Sequence, residues 1–292
     1  MGIMTAALRP IRGIRRLWIS ALSGADTRTG APAFMGRQIN NGYGRFKMNI
    51  LILKLCLVFL VIIAILWMKR PLFLAISGGL AGAVLLYGIR LQDALLIMGK
   101  SMVRNLMKAG FEVAIYTRTK EKAEDVIAEG AVWCEDVKTC AAGRDAVITI
   151  VGYPKDVEEV YFGDDGIVAS ADPGTFLIDM TTTSPKLAVR IYEDAAKAGL
   201  KALDAPVTGG DTGAREGTLT ILAGGDEADF NACMPLFEAM GKNIKYEGKA
   251  GNGQHTKMCN QIAIAGAISG VCEAMVYAKA TGLDVAQMVD SI

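Results

Sequence analysis

The chain has 292 residues, 52% of them apolar and 21% charged, and a formal net charge of +1. That length holds one large domain or two ordinary ones, and the near-neutral total argues against a nucleic-acid binder or an acidic tail. A single histidine, His255, excludes a His-based metal cluster, and six cysteines without a C-x-x-C pair read as reduced, mostly core thiols rather than a zinc site.

Taken from the N-terminus, residues 1–49 mix Arg, Gly, Pro and Ala with little apolar periodicity. Eight Arg and Lys face Asp26 alone, a local charge of +7 that leaves −6 for the remainder. We read a basic, disordered leader beside an acidic body, two parts with different surroundings. Residues 50–89 are membrane-like. Ile50–Trp67 is eighteen residues with one charge, Lys54, and Pro71–Ile89 is nineteen with none. A span needs about 20 apolar residues, so each half suffices for one transmembrane helix. Lys54 lies near an end, where it can reach the headgroups. Gly78, Gly79, Gly82 and Gly88 suit close helix packing in lipid. The expectation is a two-span hairpin turning at Lys69-Arg70-Pro71, with one span plus a buried or interfacial helix as the alternative. The basic head then stays cytoplasmic, and two spans return the rest of the chain to that side.

From residue 90 onward, short apolar runs alternate with amphipathic ones, the pattern of a doubly wound parallel sheet. Helices are expected at Met98–Ala109, Lys120–Glu129, near Val137, Lys155–Tyr161, Ser184–Ala198 and Glu227–Met240. Strands are expected at Glu112–Tyr116, around Val132, Asp145–Val151, Thr175–Asp179, Lys201–Ala205, Thr218–Ala223 and near Ile244. A long helix then runs from about Gly253 to Ala280. A ligand of such a sheet sits outside the carboxyl ends of its strands.

Several stretches carry chemistry. In Gly251-Asn252-Gly253-Gln254-His255-Thr256-Lys257, glycines break the chain just before a helix and a lysine follows one turn later. On that helix Asn260 and Gln261 lie beside Lys257. An ammonium can give a proton to a carbonyl as hydride arrives, and the neutral amine can take it back, provided burial or nearby positive charge moves the pKa toward neutrality. Asp204-Ala205-Pro206-Val207-Thr208-Gly209-Gly210 ends a strand in a two-glycine turn whose bare amides can cradle a carboxylate. His255 has no partner acid in view and reads as structural.

Together with Met98-Gly99-Lys100-Ser101 and Asp179-Met180-Thr181-Thr182, these stretches, in this order and spacing, resemble the β-hydroxyacid dehydrogenases, a family that includes 3-hydroxyisobutyrate dehydrogenase and tartronate semialdehyde reductase, with 6-phosphogluconate dehydrogenase a distant relative. The resemblance implies a Rossmann-like NAD(P)-binding domain over 90–250, then, over 251–292, an interdomain helix and the start of an all-α domain. It implies an NAD(P)-dependent oxidoreductase acting on a small 3-hydroxyacid or semialdehyde. Lys257 is then the catalytic acid/base and Asn260 the orienting amide. Thr208, Gly209, Gly210 and Gln261 hold the substrate. Gly99, Thr117, Arg118, Thr119, Val151, Gly152, Tyr153 and Thr181 line the cofactor. Where an NAD enzyme usually has an acid for the ribose hydroxyls, this chain has Thr117-Arg118-Thr119, which favours NADP.

Two features depart from the family pattern. The G-x-G-x-x-G fingerprint keeps only Gly99, with Ala94 and Leu96 at the first two glycine positions, and the strand before it is expected to be lost. The chain also stops at Ile292, soon after the long helix, leaving Ile262, Ile264, Ile268, Val271 and Met275 as an apolar face for a partner, such as a second copy. The expectation is a membrane-anchored dehydrogenase part on the cytoplasmic side, from a truncated or chimeric reading frame. The alternative is a catalytically impaired, membrane-tethered binding module.

Overall fold

The computed structural model describes residues 4–10 and 91–292. The apolar spans expected within 50–89 lie outside the described residues. In chain order the elements are β1 (Met4–Pro10), α1 (Leu91–Lys108), β2 (Phe111–Tyr116), a 3₁₀ turn (Lys120–Ala123) leading into α2 (Glu124–Ala128), β3 (Val132–Trp133), α3 (Val137–Ala141), β4 (Ala146–Ile150), α4 (Pro154–Phe162), α5 (Ile167–Ser170), β5 (Phe176–Asp179), α6 (Pro185–Lys197), β6 (Lys201–Asp204), β7 (Val207–Thr208), α7 (Gly210–Glu216), β8 (Leu219–Gly224), α8 (Glu227–Ala232), α9 (Met234–Met240), β9 (Gly241–Gly248), α10 (Asn252–Ala280) and α11 (Val285–Ser291).

The strands form one sheet in the order β3-β2-β1-β4-β5-β6-β8-β7, with β9 beside β8. Pairs β2–β3, β4–β5 and β5–β6 are parallel. Period-two alternation divides the side chains between two cores. Val113 and Ile115, Ile148 and Ile150, and Phe176 and Ile178 join one core with Met102, Val103 and Leu106 of α1. Ala114, Val147 and Leu177 point the other way, against Val157, Val160 and Tyr161 of α4 and Ile191 of α6. Strands buried on both faces are what near-continuous apolar runs such as Ala146–Ile150 encode.

The slot expected to be empty is filled. Met4–Pro10 lies between β2 and β4, antiparallel to both, with Thr5 opposite Tyr116 and Met4 opposite Ile150. This corrects two expectations: part of the basic leader is a strand, and a strand does stand beside the switch point. Without it, β2 and β4 would leave two rows of backbone N–H and C=O groups unpaired. A strand arriving from far along the chain is not bound by the short crossover that enforces parallel pairing, and here it runs reversed.

Two further differences have local causes. The helix expected over Glu227–Met240 is broken at Cys233, because Pro235 in the first turn of α9 has no N–H to continue α8. The short α5, β7 and α7 are additions to the sequence reading. α7 begins directly at the two-glycine turn, where Gly209 (φ 129°) and Gly210 (φ 65°) take angles that side chains rarely adopt.

Candidate functional site

α10 brings the site together. Its N-terminus follows a turn with Gly248 and Gly251 at positive φ (97° and 88°). Asn252 Nδ2 donates to Glu247 O at 2.7 Å and ties the first turn back to β9. One turn on, Lys257 is only 6% exposed. Among the described residues its Nζ has no hydrogen bond or ion pair, and burial alone lowers its pKa below the ordinary lysine value. Asn260, one turn beyond, donates through Nδ2 to Thr208 Oγ1 at 3.3 Å. A mostly buried lysine, an amide and the two-glycine turn therefore share one neighbourhood. Gly209, Gly210 and Gln261 are exposed there, and His255 is exposed on α10.

The carboxyl ends of β2, β4 and β5 form the other wall. Val151 N–H donates to Thr181 Oγ1 at 3.0 Å, joining the segments after β4 and β5. Gly152 and Tyr153 follow, with Tyr153 exposed at the start of α4. Thr117 is buried after β2, and Arg118 pairs with Glu159 at 2.6 Å and Asp156 at 3.5 Å on α4. Thr119 precedes the 3₁₀ turn. Among the described residues, two buried hydroxyls at these strand ends, Thr117 Oγ1 and Thr183 Oγ1, lack a partner, as does Asp179 Oδ2. Unpaired buried polar atoms of this kind cost stability unless something polar meets them, so the ribose and nicotinamide side of a dinucleotide suits this wall.

The pyrophosphate side differs. α1 starts at Leu91, so Ala94, Leu96 and Gly99 all lie inside a helix and not in a strand-to-helix turn. Leu96 is buried in the core. Gly99, expected at the cofactor, is a buried interior residue of α1. A Leu at the second glycine position is compatible with that helix and not with a bare turn.

Sequence reasoning assigned no role to three buried groups that organise the site. Asp204 accepts from the N–H groups of Gly251 (2.7 Å) and Gln254 (2.9 Å). Gln254 reaches across to Thr181 and Thr183. Asp179 Oδ1 accepts from Thr149 Oγ1 at 2.9 Å and Thr181 N at 3.1 Å. Asp179, Asp204 and Gln254 were visible as members of the motifs; which distant residues each would meet was not.

Burial raises the Asp179 carboxyl to about 6, against hydrogen bonds from Thr181 and Thr149 that favour its ionised form. The folded state thus prefers the neutral acid. Stability from this group is present below its unfolded pKa of about 4 and is lost as pH rises through 6. Asp179→Asn should flatten that window, gaining on the order of 2–3 kcal/mol over wild type near neutral pH. Urea unfolding of both proteins from acidic to neutral pH measures it, and parallel curves would refute the assignment.

Comparison with known proteins fits this geometry. Residues 95–248 match the NAD binding domain of 6-phosphogluconate dehydrogenase, and residues 251–292 match the NAD-binding domain of NADP-dependent 3-hydroxyisobutyrate dehydrogenase. An uncharacterized oxidoreductase of Bacillus subtilis is 55% identical over 196 residues, 67% of this chain and 68% of that protein. The 2-hydroxy-3-oxopropionate reductase of Escherichia coli is 40% identical, over 64% of each chain. The solved structure of Mycobacterium tuberculosis 3-hydroxyisobutyrate dehydrogenase with L-serine superposes with a TM-score of 0.60 at 32% identity, covering 67% of this chain and 66% of that one. The chain thus spans about two thirds of the length of the relatives it matches.

Proposed function

The chain belongs to the β-hydroxyacid dehydrogenase family, and from that membership we propose that it interconverts a small 3-hydroxyacid and its semialdehyde. NAD(P), when bound, supplies or takes the hydride. Lys257 is the proton donor and acceptor at the substrate oxygen. The observation that carries this reading is a lysine only 6% exposed, its amine without a partner among the described residues, beside an amide that is itself tied to the two-glycine turn. A lysine in water stays protonated, whereas a desolvated one can exchange its proton near neutral pH. Asn260 orients the substrate oxygen. Thr208, Gly209 and Gly210 receive the acid group, with Gln261 at the rim. Val151, Gly152, Tyr153, Thr181, Thr117, Arg118 and Thr119 would hold the cofactor.

Among the described residues the one helix long and apolar enough to cross a membrane is α10. Its second turn carries Lys257 against the sheet, and we do not read it as a span. Anchoring through residues 50–89, which would keep the dehydrogenase part cytoplasmic, is proposed on their hydropathy alone. Pairing of two copies through the exposed Ile262, Ile268 and Val271 of α10 is proposed on their exposure.

The test is NAD(P)H oxidation by the full-length protein against a panel of short semialdehydes. Turnover of at least one carboxylate-bearing semialdehyde is expected, with NADPH preferred to NADH. Arg118 keeps donors beyond those facing Glu159 and Asp156, and a charge-assisted contact to a 2′-phosphate is worth about 1.5–3 kcal/mol. Arg118→Ala should therefore lower the NADPH preference by roughly tenfold or more. A second reading, a catalytically impaired binding module, is favoured by the helical setting of Ala94 and Leu96. Tight NADPH binding without any turnover would select it.

A further inference from the structure

Among the described residues the amine of Lys257 makes no hydrogen bond or ion pair, so its position depends on how α10 is held. Gln254 lies three residues earlier on the same side of the helix and is fully buried. Both ends of its carboxamide are engaged. Oε1 accepts from Thr183 N at 2.9 Å, and Nε2 donates to Thr181 O at 2.7 Å. Its own backbone N–H donates to Asp204 Oδ2 at 2.9 Å, while Gly251 N–H donates to Oδ1 of the same carboxylate at 2.7 Å. The first turn of α10 is thus fastened to the ends of β5 and β6. Thr181 accepts from Val151 N–H, so one amide joins the helix bearing the amine to both segments that would line the nicotinamide side of the cofactor.

We infer that Gln254 is the positioning residue for Lys257: its two-way amide sets the distance between the lysine's helix and the loops after β4 and β5. The role demands a donor and an acceptor at once. An apolar side chain there leaves Thr183 N–H and Thr181 C=O unpaired in the interior. A carboxylate supplies the acceptor but sets a negative charge against the Thr181 carbonyl. This inference rests on Lys257 being the acid/base.

Gln254→Glu and Gln254→Met in the full-length protein test it. A protonated glutamic acid reproduces both hydrogen bonds and an ionised one does not, and burial raises the pKa of such a carboxyl. The Glu variant should therefore match wild-type kcat at the acidic end of its range. It should lose roughly tenfold or more by about pH 8, with KM and the Kd for NADPH changed by less than about threefold. The Met variant should be slow at every pH. If it does not fold, the Glu variant decides alone, because its loss is read as the ratio of its kcat to that of wild type at each pH, which cancels the fall that deprotonation of Lys257 gives both proteins. A readout without turnover accompanies the kinetics. NMR titration of isotopically dimethylated lysines should show Lys257 moving back toward the ordinary lysine value when the Glu variant ionises. A folded Glu variant with wild-type kcat across the range, or a Lys257 titration unchanged by the substitution, overturns the inference. Should wild type turn over nothing while the Lys257 titration still shifts, positioning stands and the acid/base reading alone fails.

Discussion

Lys257→Met is expected to lower kcat by roughly 10²–10⁴-fold, the usual contribution of a placed acid or base, while NADPH binding stays intact and the protein becomes more stable. The two effects share one cause. Lys257 is 6% exposed and burial depresses its pKa, so the folded state disfavours the ammonium. Between the folded pKa and the higher unfolded one, the unfolded chain binds more protons, and wild-type stability rises with pH across that window. Below the window the cost of the buried charge is carried in full. Methionine has similar length and no charge, so it removes that cost and should raise Tm by a few degrees at neutral pH. Lys257→Arg is expected to be equally inactive, because a guanidinium does not release its proton in a protein. Cofactor fluorescence, kcat and thermal unfolding on the same samples check all three points. A Met variant retaining more than about a tenth of wild-type kcat would remove the lysine from the chemistry.

The pairing of activity with instability explains which parts of the site could be read from the sequence. Lys257, Asn260 and the two-glycine turn are legible because their chemistry resides in residue type and short spacing. The helix period alone sets Asn260 beside Lys257, and Gly209-Gly210 announces positive φ. The apolar strands β2, β4 and β5 are legible for a similar reason, since burial on both faces leaves an unbroken hydrophobic run. What stayed hidden is pairing over distance. Gln254 with Thr181 and Thr183, Asp204 with Gly251 and Gln254, and Asp179 with Thr149 join segments from separate elements. Nothing in a glutamine or an aspartate states which distant backbone it will meet. β1 was hidden more deeply. Its partners β2 and β4 require only a strand with backbone groups in register, a demand that leaves no mark on apolar periodicity. The extent of α1 was misread at one end, because the position of Gly99 was inferred from the family fingerprint and not from the helix that begins at Leu91.

Gly253→Ala should have the largest effect on folding of any single methyl added to this site. α10 meets the sheet backbone to backbone at Gly253. A Cβ there would run into Leu222 O and lie 2.8 Å from Asp204 O and 2.9 Å from Asp204 Oδ2. The two nearest atoms are main-chain oxygens of β8 and β6, which cannot rotate aside, so the helix itself must move. Moving it stretches the Asp204 bonds to Gly251 and Gln254 and carries Lys257 away from Asn260's partner on the two-glycine turn. The expected cost is roughly 3 kcal/mol, typical of overpacking against a rigid neighbour, or a fall in Tm of about 6–12 °C for a domain of this size. Turnover should fall with it even in the folded fraction. Gly266→Ala on the same helix supplies the opposite result: among the described residues, no atom outside its own stretch of helix stands within 4 Å of the added methyl. Alanine in an exposed helix interior is favoured over glycine by roughly 0.5–1 kcal/mol, so this variant should gain stability. If thermal unfolding gave the two variants the same sign, the close approach at Gly253 would not be what seats the helix, and the position of Lys257 would need another explanation.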